Sequence, residues 1–179
     1  MTRARRTDHR RPRAVVVLTA MVMTACAPSA TDPQVGRTRE ALIARGQYLA
    51  TIMDCGGCHT PGALAGKPDG SRRLAGSDVG FRTATGVVYP PNLTPDPDTG
   101  LGRWSDADIM RAIREGRSRD GRVLSTVMPW PAYSVLRADD LRALVAFLRS
   151  LPPVRQATPR NAKAGETPPA PYLTIVAPK

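Results

Sequence analysis

Three stretches of the chain repeat apolar positions with the period of a helix. Over residues 38–53, Ala41, Leu42, Tyr48, Leu49 and Ile52, with Arg45 between them, recur close to i, i+3, i+4, i+7. Gly46 falls inside that segment, where glycine costs about 1 kcal/mol relative to alanine. A glycine kept there implies close approach of another helix, with Leu144 or Phe147 as its neighbour. A second helix is expected over 106–115. Ser105 as N-cap and Asp108 three residues later make a capping box with Asp in place of Glu; Ile109, Ala112 and Ile113 form the stripe, and Gly116 ends it. The third, 138–151, opens with Asp139 and Asp140 at its positive end, carries Leu141, Leu144, Val145 and Leu148, and stops at Pro152.

Residues 60–104 hold eight Gly and six Pro. A loop that long inside a compact domain needs something to wrap. Within it, 80–83 and 86–89 can pair as a small hairpin across Ala84-Thr85. Beyond the third helix, residues 152–179 hold seven prolines and no helical pattern. That tail is expected to be extended or disordered, with 172–176 able to lie back on the body but a loose end the expected state. The pattern therefore predicts a single all-α domain over 38–153, three or more helices with one long Gly/Pro-rich loop. A short spacer, 26–37, precedes it and a Pro-rich tail, 154–179, follows.

Residues 1–25 read as an export signal. Six arginines precede a twelve-residue apolar run, Ala14 to Ala25, short for a membrane span of about 20 residues. Met23-Thr24-Ala25-Cys26 is similar to a lipoprotein box, in which Cys26 would become the acylated N-terminus. Met23 stands where leucine is usual. An uncleaved anchor, or plain export with an idle Cys26, is the alternative.

The signal changes the meaning of the charge. The whole chain is +11, with 26 basic and 15 acidic residues; without 1–25 it has 20 against 14, and over 38–153 only 15 against 12. The basic excess belongs largely to the ends, so nucleic-acid binding is rejected. Arg103, Arg111, Arg114, Arg117, Arg119 and Arg122 could rim a docking face for an acidic partner. A solvated surface balanced by Asp106, Asp108, Glu115 and Asp120 is the preferred reading.

The first helix runs straight into Cys55-Gly56-Gly57-Cys58-His59, a haem c attachment motif. Two thiols three positions apart can add to the two vinyl groups of one porphyrin edge, and the next residue sets an imidazole under the iron. His59 is the one histidine after residue 25, which argues against a histidine zinc site and a Ser-His-Asp triad. A redox dithiol would normally open a helix after a strand in a βαβ unit, and none is visible. Only 4% of residues are aromatic; a buried porphyrin would supply the apolar surface they do not. One motif predicts one covalently attached haem.

After residue 25 the chain has three methionines. Met53 is too near the cysteines in sequence to reach the far face of the ring, and Met110 sits on the second helical stripe. Met128 lies in Ser125-Thr126-Val127-Met128-Pro129-Trp130-Pro131, a proline-stiffened, non-helical stretch suited to presenting a thioether as distal ligand. Gap-filling in the core is the alternative role. A His/Met pair would close both axial positions and favour electron transfer over substrate chemistry.

Several motifs in order complete the picture: Arg45-Gly46-Gln47-Tyr48-Leu49-Ala50; Cys55 to Thr60; Pro91-Asn92-Leu93-Thr94-Pro95-Asp96; 99–108, Thr99-Gly100-Leu101-Gly102-Arg103-Trp104-Ser105-Asp106-Ala107-Asp108; 117–121; and Met128-Pro129-Trp130-Pro131-Ala132-Tyr133. Over roughly 44–151 the chain resembles the class I cytochrome c domains that serve as subunits of membrane-bound bacterial alcohol, aldehyde and related dehydrogenases. The resemblance implies the cytochrome c fold, thioether bonds at Cys55 and Cys58, proximal His59 and distal Met128. It also implies Trp104 and Tyr133 at the haem pocket or a propionate, with plain core packing as the alternative. A proline carbonyl near Pro90 or Pro91 is expected to orient the imidazole. Two departures stand out: many such subunits carry three haem domains and this chain has one, and Arg137 occupies a place where Ser or Thr often caps the last helix. The function implied is electron transfer from a dehydrogenase to an oxidase or another cytochrome. It would act outside the cytoplasmic membrane, with lipid on Cys26 as the membrane link. The alternative is a haem enzyme or gas-binding sensor with an open distal site.

Overall fold

The computed structural model describes residues 33–178, and side chains from Thr38 onward. The expected signal, Cys26 and most of the spacer lie outside the described residues. The elements in chain order are α1 (Pro33–Ile52), α2 (Cys55–His59), two 3-10 turns (Ala63–Ala65 and Gly70–Arg72), β1 (Gly80–Thr83) and β2 (Gly86–Val88). They continue with α3 (Asp106–Glu115), α4 (Trp130–Tyr133), α5 (Ala138–Ser150), β3 (Ala162–Lys163) and β4 (Tyr172–Leu173).

Helices α1 and α5 cross at Gly46. A Cβ there would overlap the Ala143 carbonyl and lie 2.7 Å from Phe147 Cβ, so the backbones meet because glycine leaves no side chain between them. Phe147, rather than Leu144, is the side chain at the crossing. This contact sets which face of α1 is buried: Leu49 and Ala50 enter the core with Ile43 and Met53 packed beside them. Leu42, Tyr48 and Ile52, prominent in the expected stripe, are exposed. The close crossing fixes the helix's rotation, and bulky side chains cannot occupy it. Arg45 reaches Asp140 at 2.9 Å over the same junction; half-exposed, the pair contributes only about 0.2–1 kcal/mol.

Helix α3 is held as its sequence demands. Ser105 Oγ accepts from Asp108 N, and the Asp108 carboxylate accepts from Ser105 N. Gly116 closes the helix at φ 63°. Arg137 gives α5 no side-chain cap, and Asp139 and Asp140 lie in its first turn instead, where carboxylates favour the helix dipole. The core joins Leu74 and Leu101 of the long loop to Ile109, Leu141, Leu144 and Leu148.

The all-α expectation needs correction. Besides five described helices there is a small mixed sheet of order β3-β2-β1-β4. The hairpin is antiparallel with Phe81 opposite Val88, whereas β4 lies parallel to β1. The edges of that hairpin recruit the chain beyond α5, which is not loose along 154–173. Buried Asn92 donates from Nδ2 to Val154 O at 2.7 Å, and Gln156 N donates to Thr99 Oγ1 at 3.0 Å. Tyr89 N donates to Asn161 Oδ1 at 2.9 Å, and β3 pairs with β2. Tyr89 OH donates to Ala170 O at 2.6 Å, and Arg82 stacks on the Tyr172 ring at 4.5 Å. Prolines exclude a helix from this segment. They do not prevent extended chain from using the donors that a two-stranded hairpin leaves unpaired. Ile175 and Val176 do remain exposed. The stretch around Met128 is also partly helical, since α4 starts at Trp130 with Pro131 in its first turn, a position that needs no amide donor.

Candidate functional site

The end of α1 turns into α2 through Asp54, which adopts the left-handed conformation (φ 51°, ψ 40°). Its carboxylate accepts from Gly57 N at 3.1 Å. A Cβ on Gly57 would collide with that carboxylate, while one on Gly56 would meet only Thr60 Oγ1 at 3.7 Å. Of the two glycines between the cysteines, therefore, only Gly57 is crowded, and by the end of the Asp54 side chain and not by backbone. The single turn of α2 places Cys55 and Cys58 one helical turn apart and buries His59.

The His59 ring is pinned. Its Nδ1 lies 2.7 Å from the carbonyl oxygen of Pro91. A carbonyl only accepts, so Nδ1 carries the proton and Nε2 keeps its lone pair. Burial lowers the His59 pKa, and the bond to Pro91 opposes that fall without reversing it. The imidazole is thus held neutral, the form that ligates metals.

A cavity of about 710 Å³ opens beside this ring, lined by both cysteines, His59 and Pro91 on one side and by Trp104, Met128 and Tyr133 elsewhere. All seven residues singled out from the sequence meet at one place. The volume suits an organic cofactor. Met128 sits in a turn closed by Met128 N to Ser125 O at 3.2 Å and by Trp130 N to Met128 O at 2.7 Å. The Trp130 indole packs where Gly116 has no side chain and donates to Leu124 O at 3.3 Å, tying the methionine's loop to the end of α3. Met110 packs against the core, in keeping with its place on a helical stripe. Met53 also lines the cavity, next to the cysteines in sequence.

Tyr133 donates to Met53 O at 3.1 Å. Burial, and then the neighbouring thiols and Asp54, push its pKa to about 12, so the hydroxyl stays protonated. Trp104 is anchored through its backbone: its amide donates to Leu101 O, and its carbonyl accepts from Arg149.

The thiols bear on the choice of chemistry. Burial raises Cys55 to about 11, against the pull of its own backbone hydrogen bond, and raises Cys58 as well. Redox-active dithiols have lowered pKa values that expose a thiolate; these two are shifted the other way. Two protonated thiols on one turn, a tautomer-fixed imidazole, a thioether and mostly apolar walls fit a haem c. Among the described residues no cluster of three or more His, Cys, Asp or Glu is placed to hold a metal ion by itself.

Sequence reasoning missed three contributors. Trp130 as anchor of the Met128 loop had its signal in the flanking prolines and in Gly116. Asn92 as the buried tie to the chain beyond α5 had only its place in a polar loop motif. Thr158, Pro159, Arg160 and Asn161, which line the cavity from the C-terminal segment, had no local signal.

The chain is similar to known proteins over most of its described length. A family model described as cytochrome c matches residues 43–152. A nicotinate dehydrogenase subunit of Pseudomonas putida is 42% identical over 131 residues, covering 73% of this chain and 10% of that protein. The cytochrome c subunit of the quinone alcohol dehydrogenase of Gluconobacter oxydans is 41% identical over 108 residues, 60% of this chain and 21% of that protein. The gluconate 2-dehydrogenase cytochrome c subunit of Pantoea cypripedii is 38% identical over 122 residues, 68% of this chain and 26% of that protein. The chain thus spans between a tenth and about a quarter of the length of these relatives.

Proposed function

Because this chain belongs to the cytochrome c family, we propose that it is a single-haem electron carrier serving a dehydrogenase. Cys55 and Cys58 would form the two thioether bonds, and His59 and Met128 are the side chains that would hold the iron. The observation that carries this reading is the gathering of both thiols, the Pro91-oriented imidazole and the Met128 thioether around one apolar cavity. When bound, the haem supplies an iron centre that gains and loses one electron.

The protein's residues account for the rest. The Pro91 carbonyl fixes the His59 ring and raises the basicity of Nε2. The loop from Ser125 to Pro131 presents Met128 from a backbone stiffened by two prolines, so little structure has to rearrange as the charge changes. Apolar walls exclude water and disfavour the more charged state. Together with a thioether donor at Met128 they would raise the reduction potential and close the site to a reactant. An enzyme or gas sensor would need that position open, and Met128 in the cavity weighs against it.

Electrons would come from a dehydrogenase, since the relatives' names are those of dehydrogenase subunits, and pass to an oxidase or another cytochrome. The place of action would be the outer side of the cytoplasmic membrane. No described helix is long and apolar enough to cross a membrane, and attachment would run through lipid on Cys26. Haem staining after denaturing electrophoresis, with a reduced-minus-oxidised spectrum of the purified protein, tests the reading. Covalent haem with a low-spin spectrum is expected. Carbon monoxide should bind Met128→Ala and not the wild type; ready binding by the wild type refutes the ligand assignment.

A further inference from the structure

The family match ends at residue 152, yet the cavity does not. Thr158, Pro159, Arg160 and Asn161 form part of its wall. They are held there by Asn92 and Thr94 gripping Val154, by Tyr89 N on Asn161 Oδ1, and by Val87 opposite Ala162 in the β2–β3 pair. Ala162 is buried against Val87 and Tyr89, so Arg160 is fixed two residues from a packed strand.

Arg122 and Arg160 are the cationic Arg or Lys side chains that line the cavity among the described residues, and Asp54 is its acidic one. Asp54 adjoins Cys55, at the end where the vinyl groups of a haem would bond. A haem carries its two carboxylates on the porphyrin edge away from the vinyls, hence away from Asp54. Arg160 Nη1 pairs with Glu166 Oε2 at 3.1 Å, and the same carboxylate oxygen accepts from Lys163 N at 3.0 Å. That arrangement steadies the guanidinium while Nε and Nη2 have no partner among the described residues. Asn161 uses Oδ1 for Tyr89 N, and its Nδ2 has no partner among the described residues.

We propose that the 154–163 segment is a working wall of the cofactor site and that Arg160 binds a haem propionate, with Asn161 Nδ2 as a second donor. The inference rests on the haem reading above. A guanidinium on the propionate offsets its negative charge, and a charge-assisted pair of this kind is about twice as strong as a neutral hydrogen bond. It therefore holds the propionate ionised and favours the reduced haem. Arg122, Asp54, His59, Tyr89 and Tyr133 are the other ionisable groups besides the cysteines on the cavity, and Glu166 stands behind Arg160.

The test uses full-length holo-protein of wild type, Arg160→Gln, Arg160→Lys and Glu166→Gln, with reduction potentials measured from pH 5 to 9. Arg160→Gln should shift the redox equilibrium about threefold to tenfold toward the oxidised form, about 30–60 mV downward at 59 mV per decade. It should also introduce a pH dependence near neutrality as the propionate becomes easier to protonate. Arg160→Lys should restore most of the wild-type value, and Glu166→Gln should move it upward. A purely structural role for Arg160 would loosen the segment without this charge-dependent pattern. Potentials and pH profiles equal to wild type in Arg160→Gln overturn the proposal. If that variant yields no holo-protein, an unchanged potential in Glu166→Gln does so. Wild type without covalent haem would instead refute the haem reading itself.

Discussion

Gly46→Ala sets two effects of opposite sign against each other. In an isolated helix the change stabilises by about 1 kcal/mol, because alanine is the best helix former and glycine among the worst. Here the new methyl group would overlap the Ala143 carbonyl and lie 2.7 Å from Phe147 Cβ, neither of which is the end of a flexible side chain. Ordinary contact begins near 3.4 Å, so α1 and α5 must part by about 0.7 Å against Phe147 alone and further against the carbonyl. A gap of 0.5–1 Å forfeits about a quarter to a half of each contact's attraction along the seam. Overpacking costs about 1–3 kcal/mol, and backbone overlap belongs at the upper end. Subtracting the helix-propensity gain leaves a net loss of about 2 kcal/mol, or about 4–8 °C in Tm for a chain of this size. Urea unfolding of the holo-protein, followed by far-UV circular dichroism, measures it, with Gln47→Ala on the exposed side of α1 as the propensity control. Stabilisation of Gly46→Ala by about 1 kcal/mol would refute the close crossing.

Asn92→Ala leaves Val154 O, Thr94 and Thr99 short of partners deep in the protein, and should cost about 2–4 kcal/mol. Hydrogen exchange should rise first at the Val154 and Gln156 amides. Ser105→Ala removes one half of the α3 capping box and should cost about 1 kcal/mol, read as a lower urea midpoint at unchanged m. In protein prepared without haem, Cys55 should resist alkylation at pH 8, with its rate climbing toward pH 11, the thiol's raised pKa. The unfolded thiol ionises near 9.0, so the stability contributed by the buried neutral form is complete below that pH and lost as pH rises through 11.

Much of the fold was written in local rules. Ser105, Asp108 and Gly116 bound α3 because caps act over three or four residues. Pro152 and the apolar spacing bound α5 for the same reason. The motif around Cys55 and the prolines around Met128 pointed to the site because each carries its own short-range chemistry. What stayed hidden was long-range. Leu42, Tyr48 and Ile52 point to the wrong rotation of α1, since hydrophobicity alone does not register that a backbone must approach; Gly46 is the better guide. The C-terminal segment reads as disordered from its prolines. Its order comes from hydrogen-bond partners in β1, β2 and the Asn92 loop, 60 or more residues away for Val154 and 81 for Ala170. No window of neighbouring residues contains that information.

The pairing of β3 and β4 onto the hairpin sets a timetable for the growing chain. Residues 154–173 are synthesised after everything they cover, so one flank of the haem pocket is still missing when Cys55 and Cys58 have already been made. A nascent molecule would therefore hold both thiols in a pocket that lacks one of its walls. The flank closes only when β3 and β4 dock.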